Sequence, residues 1–137
     1  MRFMIIVKAT ADSEAGKMPE EALIASMATY HEALQKAGVL LDACGLQPSA
    51  KGWRVHYANG ERTVTEGPFA DTQTLIAGYT VIQVRSREEA MEWARRFPAP
   101  FGEDADGEIE VRQMYDLDDF EPGQQMERFR KIEGANH

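Results

Sequence analysis

Residues 63–79 read Thr-Val-Thr-Glu-Gly-Pro-Phe-Ala-Asp-Thr-Gln-Thr-Leu-Ile-Ala-Gly-Tyr, which predicts a strand end, a rigid turn and the start of the most apolar strand. In the turn, Gly67 can adopt a positive φ and Pro68 holds its own φ near −65°. The ring of Phe69 is suited to anchor the turn in the core. The turn therefore predicts the register between the strands on either side.

The residues on either side of the turn predict three further strands. Residues 53–57 alternate between polar and aromatic or aliphatic side chains, which is typical of a strand. Asn59-Gly60 is the strongest two-residue hairpin signal, so residues 62–65 should return antiparallel to that strand. After the turn, residues 75–84 predict a strand covered on at least one face, with Gly78 at a bulge or a close backbone approach.

Further strands and two helices are predicted on both sides. Short apolar runs predict strands at residues 3–7 and 39–46, and imperfect alternation predicts a last strand at 108–115. A helix that begins near Pro19 and ends at Gly38 has one apolar stripe, formed by Leu23, Met27, Tyr30 and Leu34. A second helix begins with a capping box at Ser86 and ends before Pro98. Residues 9–18 and 98–107 read as polar loops.

The resulting order, β-α-β-β-β-β-α-β, predicts an α+β fold: a ferredoxin-like βαββαβ frame with an inserted β-hairpin. Both helices should cover one face of the antiparallel sheet, and no segment remains to cover the other. The expected solution is a homodimer joined sheet to sheet, a dimeric α+β barrel. We assign residues 1–121 to this domain and 122–137 to a C-terminal tail with a short helical piece, which could dock on a partner subunit through Met126 and Phe129.

Charge and composition exclude several classes of function. The 137-residue chain is 43% hydrophobic, as expected for one domain, and its net charge of −8 argues against nucleic acid as a partner. Residues 102–122 hold nine acids and one base, so this segment carries the whole net charge. A single cysteine, Cys44, suits a reducing cytoplasm. The short apolar run at the N-terminus predicts neither a signal peptide nor a membrane span, so a cytoplasmic location is expected.

Glu66-Gly67-Pro68-Phe69-Ala70-Asp71-Thr72 resembles the signature of the DGPF-domain branch of the YCII-related proteins, with Glu66 in place of the signature's Asp. Other segments that resemble the family in order include residues 8–10, 13–16, 36–41, 45–49, 62–65, 76–79, 108–113 and 119–120. The resemblance implies a dimeric α+β barrel with a cleft in or beside each subunit, and no established reaction. In relatives a His on the first helix, paired with an Asp, is a candidate catalytic dyad. That His would fall near Met27 here, so the dyad does not carry over to His31.

Three residues are candidates for acid–base chemistry. Glu66 could place a carboxylate at the mouth of a cleft. A purely structural role of the turn beside it explains the same residues. Asp71 could bind a ligand or accept hydrogen bonds from nearby backbone amides. His31 could act as a base near neutral pH, but a helical His with no partner at i+3 or i+4 also reads as a half-buried structural residue.

The candidate ligand-binding residues are Lys8, Arg54, Phe69, Asp71, Tyr79 and Arg112. Polar residues on central strands either pair with an acid, such as Glu110 or Asp71, or face a cavity. In the second case they would bind a small carboxylate or phosphate.

No cofactor and no metal site is predicted. The three histidines and Cys44 lack metal-ligand spacing, and residues 102–113 lack two essential ligands of an EF-hand loop. Haem chemistry is disfavoured because no axial His is well placed.

Two functions remain. The first is a small-molecule binding protein, with cofactor-free acid–base catalysis as an extension in which Lys8 or Arg112 stabilises charge. The second is a non-catalytic interaction module that uses the acidic segment and the tail.

Overall fold

The structure is a computed structural model that describes residues 1–135; His137, which the sequence assigns to the tail, lies outside this range. The described residues form an α+β fold with an antiparallel sheet. Its strands are β1 (Arg2–Lys8), β2 (Leu40–Gly45), β3 (Trp53–Ala58), β4 (Glu61–Glu66), β5 (Ile76–Gln83) and β6 (Ile109–Gln113). Its helices are α1 (Ala11–Glu14), α2 (Glu21–Lys36), α3 (Arg87–Arg95) and α4 (Gln124–Ala135), and 3-10 turns occur at Ser49–Lys51, Thr72–Thr74 and Leu117–Asp119.

The main sheet has the strand order β2-β5-β1-β6, and every neighbouring pair is antiparallel. The two central strands, β1 and β5, are rich in β-branched residues, which suit a pleated sheet covered by helices. The pairing of β1 with β5 shifts by one residue between Val7 and Lys8. At Gly78, an added Cβ would lie 3.0 Å from the carbonyl oxygen of Cys44, so the predicted close backbone approach is confirmed.

Strands β3 and β4 form a separate hairpin of six residue pairs, from Trp53↔Glu66 to Ala58↔Glu61. The two turn residues, Asn59 and Gly60, both have positive φ, at 53° and 76°. A tight turn with two positive φ values matches the right-handed twist of the strands, which is why Asn-Gly favours it. The predicted hairpin is therefore confirmed, but β4 and β5 belong to different sheets, so the expectation that the Gly-Pro-Phe turn sets a register between them was wrong.

The core lies between the sheet and the helices α2 and α3. It comprises Phe3, Ile5, Tyr30, Leu34, Val39, Ile82, Val84, Ala90 and Trp93. The predicted stripe of α2 buries its C-terminal half. Of the capping box predicted for α3, one half is present: the Ser86 hydroxyl accepts from the amide of Glu89, whereas the Glu89 carboxylate accepts from the amide of Arg85 and not from Ser86. Tyr30 on α2 donates a 2.7 Å hydrogen bond to the carbonyl of Trp93 on α3.

The segment 9–18, expected to be a loop, contains the short helix α1, so that expectation was wrong for residues 11–14. Thr10 caps this helix: its hydroxyl accepts from the amide of Ser13, and the Ser13 hydroxyl accepts in return from the amide of Thr10. A reciprocal capping box satisfies two free amides and is enough to nucleate one turn. The tail, in turn, contains the twelve-residue helix α4.

The helices cover the face of the sheet that carries Phe3 and Ile5. Because side chains alternate along a strand, Met4 and Ile6 belong to the other face, which we call the open face. Within residues 1–135, no helix is long and apolar enough to cross a membrane.

Candidate functional site

The open face brings together residues from all four strands of the main sheet. Opposite residues in antiparallel strands share a face, so the register places the following side chains with Met4 and Ile6. They are Asp42 and Cys44 on β2, Tyr79 and Val81 on β5, and Glu110 and Arg112 on β6. The centre of the open face is therefore apolar, and its polar groups lie toward the outer strands.

Lys8 and Arg112, two of the predicted ligand-binding residues, lie at different places on this face. Arg112 is opposite Met4, and Lys8 is four residues further along β1, which corresponds to about 13 Å along a strand. The Arg112 guanidinium is exposed and pairs with Glu110 at 3.3 Å. The sequence left two roles open for Arg112, to pair with an acid or to face a cavity, and the structure shows the pair with an acid. The structure therefore does not bring Lys8 and Arg112 together within one chain.

Tyr79, another predicted ligand residue, donates a 3.2 Å hydrogen bond from its hydroxyl to Oδ2 of Asp42. This hydrogen bond, together with the negative charge of Asp42, raises the pKa of Tyr79 because ionised tyrosine would lose the bond and repel the carboxylate. Cys44 is exposed beside this pair on β2. The Tyr79 phenol therefore stays protonated and remains a hydrogen-bond donor at the rim of the open face.

The Gly-Pro-Phe turn is held by residues that the sequence analysis did not single out as site residues. The Ser49 hydroxyl accepts a 2.9 Å hydrogen bond from the amide of Phe69 and donates to the carboxylate of Glu14. The amide of Ser49 also donates to both oxygens of that carboxylate, at 3.0 and 3.2 Å. We call Glu14, Ser49 and Phe69 the turn clamp. The sequence carried a signal for it, since Glu14 and Ser49 both lie in segments that resemble the family.

Gly67 does not have the positive φ expected from the sequence, and the turn needs glycine there because of space. An added Cβ at Gly67 would lie 1.8 Å from the carbonyl oxygen of Ser49, which is shorter than any non-bonded contact. The amide of Gly67 also donates a 3.0 Å hydrogen bond to the carbonyl of Gly52, and the Gly67–Pro68 peptide is cis. The turn thus passes directly over the 3-10 turn at Ser49–Lys51.

Arg54, Phe69 and Asp71 do come together around the turn. The Arg54 guanidinium lies 3.8 Å above the ring centre of Phe69 and donates to the Thr74 hydroxyl at 3.1 Å. Thr74 donates in turn to the carbonyl of Asp71, while the Asp71 carboxylate accepts from the amide of Gln73. Of the two roles open to Asp71, the structure shows the backbone hydrogen bond.

The remaining acid–base candidates lie apart from this group. Glu66 is opposite Trp53 at the base of the hairpin and is exposed. His31 is on α2, half-buried under the covered face of the sheet: its Nδ1 lies 2.7 Å from the Met27 carbonyl and its Nε2 lies 2.9 Å from the hydroxyl of Thr80. Because a carbonyl can only accept, Nδ1 carries a proton. His31 therefore links α2 to β5 on the covered face, across the sheet from the open face.

Two shallow depressions lie away from these residues. One surrounds the hairpin tip at residues 57–62, and the other lies beside α2 next to Arg96 and Pro98. Among residues 1–135, no three His, Cys, Asp or Glu side chains are grouped closely enough to hold a metal ion. Within residues 1–135, neither depression is lined by the predicted ligand residues.

The sequence of this chain is similar to those of known proteins. An uncharacterised protein of Rhizobium meliloti (strain 1021) is 28% identical over 79 residues, which are 58% of this chain and 64% of that protein. The aligned region thus spans less than two thirds of the relative. The model of the YCII-related domain matches residues 1–118, from the first strand through the turn clamp and the last strand of the sheet. With most of its length matched in this way, the chain belongs to the YCII-related family.

Proposed function

We propose that this protein is a cytoplasmic member of the DGPF branch that binds a small anionic molecule in a cleft between two copies of the chain. The copies pack sheet to sheet, each with a ferredoxin-like frame, as a dimeric α+β barrel. The observation that carries the proposal is the open face: an apolar centre, formed by Met4 and Ile6, has a cationic side chain at its end, Lys8.

The frame itself is supported by the strand order. The order β2-β5-β1-β6, read without the hairpin, is the order expected when two β-α-β units pack with both helices on one side. The covered face is filled by the core, so the open face is the surface left to bury. Burial of apolar surface in a second copy is the usual solution for such a face.

Lys8 is the residue best suited to bind an anion. Its side chain is half-buried at the end of β1, and none of the ion pairs formed among residues 1–135 involves it. A partly buried ammonium group without a carboxylate partner is stabilised by a bound carboxylate or phosphate. Arg112, which is far from Lys8 within one chain, is proposed to reach the cleft from the second copy.

Acid–base catalysis without a cofactor is an extension of this proposal. Glu66 and Asp71 are the carboxylates nearest in sequence to the turn, and Lys8 would stabilise developing negative charge.

A thermal-shift screen against small carboxylates and inorganic phosphate tests the binding proposal. A ligand that binds at 100 times its Kd should stabilise the fold by about 2.7 kcal/mol. Lys8→Ala should abolish that shift and Arg112→Ala should reduce it. Lys36→Ala, which removes an exposed lysine in the last turn of α2 on the covered side of the sheet, should leave it unchanged. An unchanged shift in Lys8→Ala would remove Lys8 from the site.

Sedimentation tests the dimer separately. The wild-type chain should sediment as a dimer at micromolar concentration, and Ile6→Glu should be monomeric because it places a charge in the centre of the interface. Lys51→Glu is the matched control. A monomeric wild-type chain would contradict the proposal.

The second candidate function is a non-catalytic interaction module. It is favoured by the exposed apolar residues outside the sheet and by the acidic segment 102–122. Absence of any stabilising ligand, together with an intact dimer, would favour this function.

A further inference from the structure

The hairpin β3–β4 has one apolar face that stays largely exposed among residues 1–135, although Arg62 lies over the Tyr57 ring at 5.2 Å. The register places Trp53, Val55, Tyr57 and Val64 together on this face, which we call the hairpin face. Trp53 and Tyr57 are each 67% exposed and Val64 is 63% exposed. A two-stranded hairpin is marginally stable at best in water, so these side chains need a packing partner.

The polar face of the hairpin is the one held by its own chain. Arg54 stacks on Phe69 and donates to Thr74, and both partners belong to the turn region that precedes β5. This attachment directs the hairpin face away from the body of the molecule. The missing partner must therefore come from elsewhere.

Helix α4 also has an exposed apolar side and polar contacts to its own chain. Met126, Phe129 and Ile132 recur at steps of three, which places them on one side of the helix. Phe129 is 52% exposed and Ile132 is 56% exposed. The helix is tied to its own chain through polar contacts, since Arg130 donates a 2.8 Å hydrogen bond to Asp118.

The hairpin and α4 lie at opposite corners of the main sheet. The hairpin is inserted where β2 ends at Gly45 and β5 begins, next to Lys8 of β1. Helix α4 follows the edge strand β6 at the other end of β1, where Arg2 bonds to Asp116. Since seven residues of strand separate these ends by roughly 20 Å, the two apolar surfaces do not meet within one chain.

We propose that α4 of one copy packs on the hairpin face of a second copy, and that the contact occurs twice in a two-fold dimer. The inference rests on the sheet-to-sheet dimer proposed above and names a second contact within it. If the two-fold axis runs diagonally across the open face, the strands of the two sheets cross near 90°. This is one of the two common packing angles between sheets. The same rotation carries the hairpin corner of one copy onto the α4 corner of the other.

The charges beside the two surfaces are complementary. Along the hairpin face, Glu66 lies at the Trp53 end and Arg62 lies at the Tyr57 end. On α4, Arg128 and Glu133 lie on or beside the apolar side at 100° per residue. One orientation of the helix places Arg128 near Glu66 and Glu133 near Arg62.

The area is also adequate for a stable dimer. A buried aromatic side chain covers about 150–250 Å². At their present exposures, the contact would therefore remove from solvent roughly 550–950 Å² of Trp53, Tyr57 and Phe129, counted over both copies. Added to the apolar centre of the open face, this approaches the roughly 1,200–2,000 Å² of stable interfaces.

Disulfide trapping in the full chain tests the contact. In a Cys44→Ser background, chains with Val64→Cys are mixed with chains with Ile132→Cys, allowed to exchange subunits, and oxidised. A covalent pair of chains is expected on a non-reducing gel. The control replaces Ile132→Cys by Lys131→Cys, on the far side of α4, and should give at least tenfold less product.

Sedimentation of the same mixtures separates the possible failures. A dimer that forms no 64–132 disulfide, or forms it no faster than the 64–131 control, would overturn this inference and leave the sheet-to-sheet dimer standing. A monomer would overturn both.

Discussion

The amide of Phe69 donates a 2.9 Å hydrogen bond to the hydroxyl of Ser49, twenty residues earlier in the chain. The Ser49 hydroxyl also donates to the carboxylate of Glu14, so helix α1, the 3-10 turn at Ser49–Lys51 and the Gly-Pro-Phe turn are joined at one point. All three segments lie at the Lys8 end of the sheet, where the proposed cleft begins. The rigidity of the cleft rim therefore depends on a serine that no catalytic motif would identify.

The turn clamp should be measurable as stability. Ser49→Ala leaves the Phe69 amide without an acceptor and removes one donor from the Glu14 carboxylate, which should lower the free energy of unfolding by about 1–3 kcal/mol. Urea denaturation measures this change. Ser26→Ala is the control, because its exposed hydroxyl bonds only to the Ala22 carbonyl of its own helix and should cost less than about 0.5 kcal/mol. Equal losses for the two variants would contradict the clamp.

Gly67→Ala should be among the most destabilising substitutions in the chain. The added methyl group would meet the backbone oxygen of Ser49 at 1.8 Å, and backbone cannot rotate away as a side chain could. We expect a loss of about 3 kcal/mol or more, measured by thermal and urea unfolding. Gly45→Ala is the control because an added Cβ there meets nothing within 4 Å. A mild effect at Gly67 would mean that the turn can shift freely over residues 49–51.

Phe69 and Arg54 should be energetically coupled. Phe69→Ala should cost on the order of 3 kcal/mol if the ring anchors the turn, and an unchanged melting temperature would make the ring a wall of the cleft instead. A double-mutant cycle with Arg54→Ala should give a coupling energy of about 0.5–1 kcal/mol, as expected for an exposed cation over an aromatic face. A coupling energy near zero would mean that the stacking of Arg54 on Phe69 does not stabilise the fold.

Tyr30 should titrate well above the ordinary pKa of tyrosine. Burial raises the pKa of Tyr30 to about 12, and the positive charge of Arg96 only partly opposes this effect. The folded state therefore favours the protonated phenol. The resulting stability should be constant below pH 10, the ordinary pKa, and should decline as the pH rises from 10 toward 12.

Ultraviolet titration of tyrosinate and urea unfolding at several pH values measure this effect. The decline should total on the order of 2 kcal/mol. Tyr30→Phe should remove that part of the pH dependence and the late titration step. A single titration near pH 10 for all four tyrosines would contradict the assignment.

Local sequence patterns were enough to predict the secondary structure around the turn. Asn59-Gly60 requires two positive φ values and therefore a tight hairpin, and Ser86 with Glu89 requires a helix start. Helix α1 was missed because a four-residue helix has no apolar stripe, and its only signal is the reciprocal capping of Thr10 and Ser13. Periodicity reports burial, and α1 buries no residue.

The candidate site was less predictable because its geometry depends on strand register. The sequence grouped Lys8 with Arg112, but four residues of β1 separate their positions on the open face. It also left His31 without a partner, because Thr80 is 49 residues away in the chain and meets His31 only when α2 packs on β5. Neither relationship has a local signal.

By itself, the sequence determined which segments become strands and helices, the rigid Gly-Pro-Phe turn and the family to which the chain belongs, because turns, caps and periodicity are local properties. Only the tertiary structure decided which face of the sheet stays open, which residues share it, and why the turn needs glycine. Those facts depend on contacts between distant segments: the carbonyl of Ser49 lies directly above Gly67, although seventeen residues separate them in the chain.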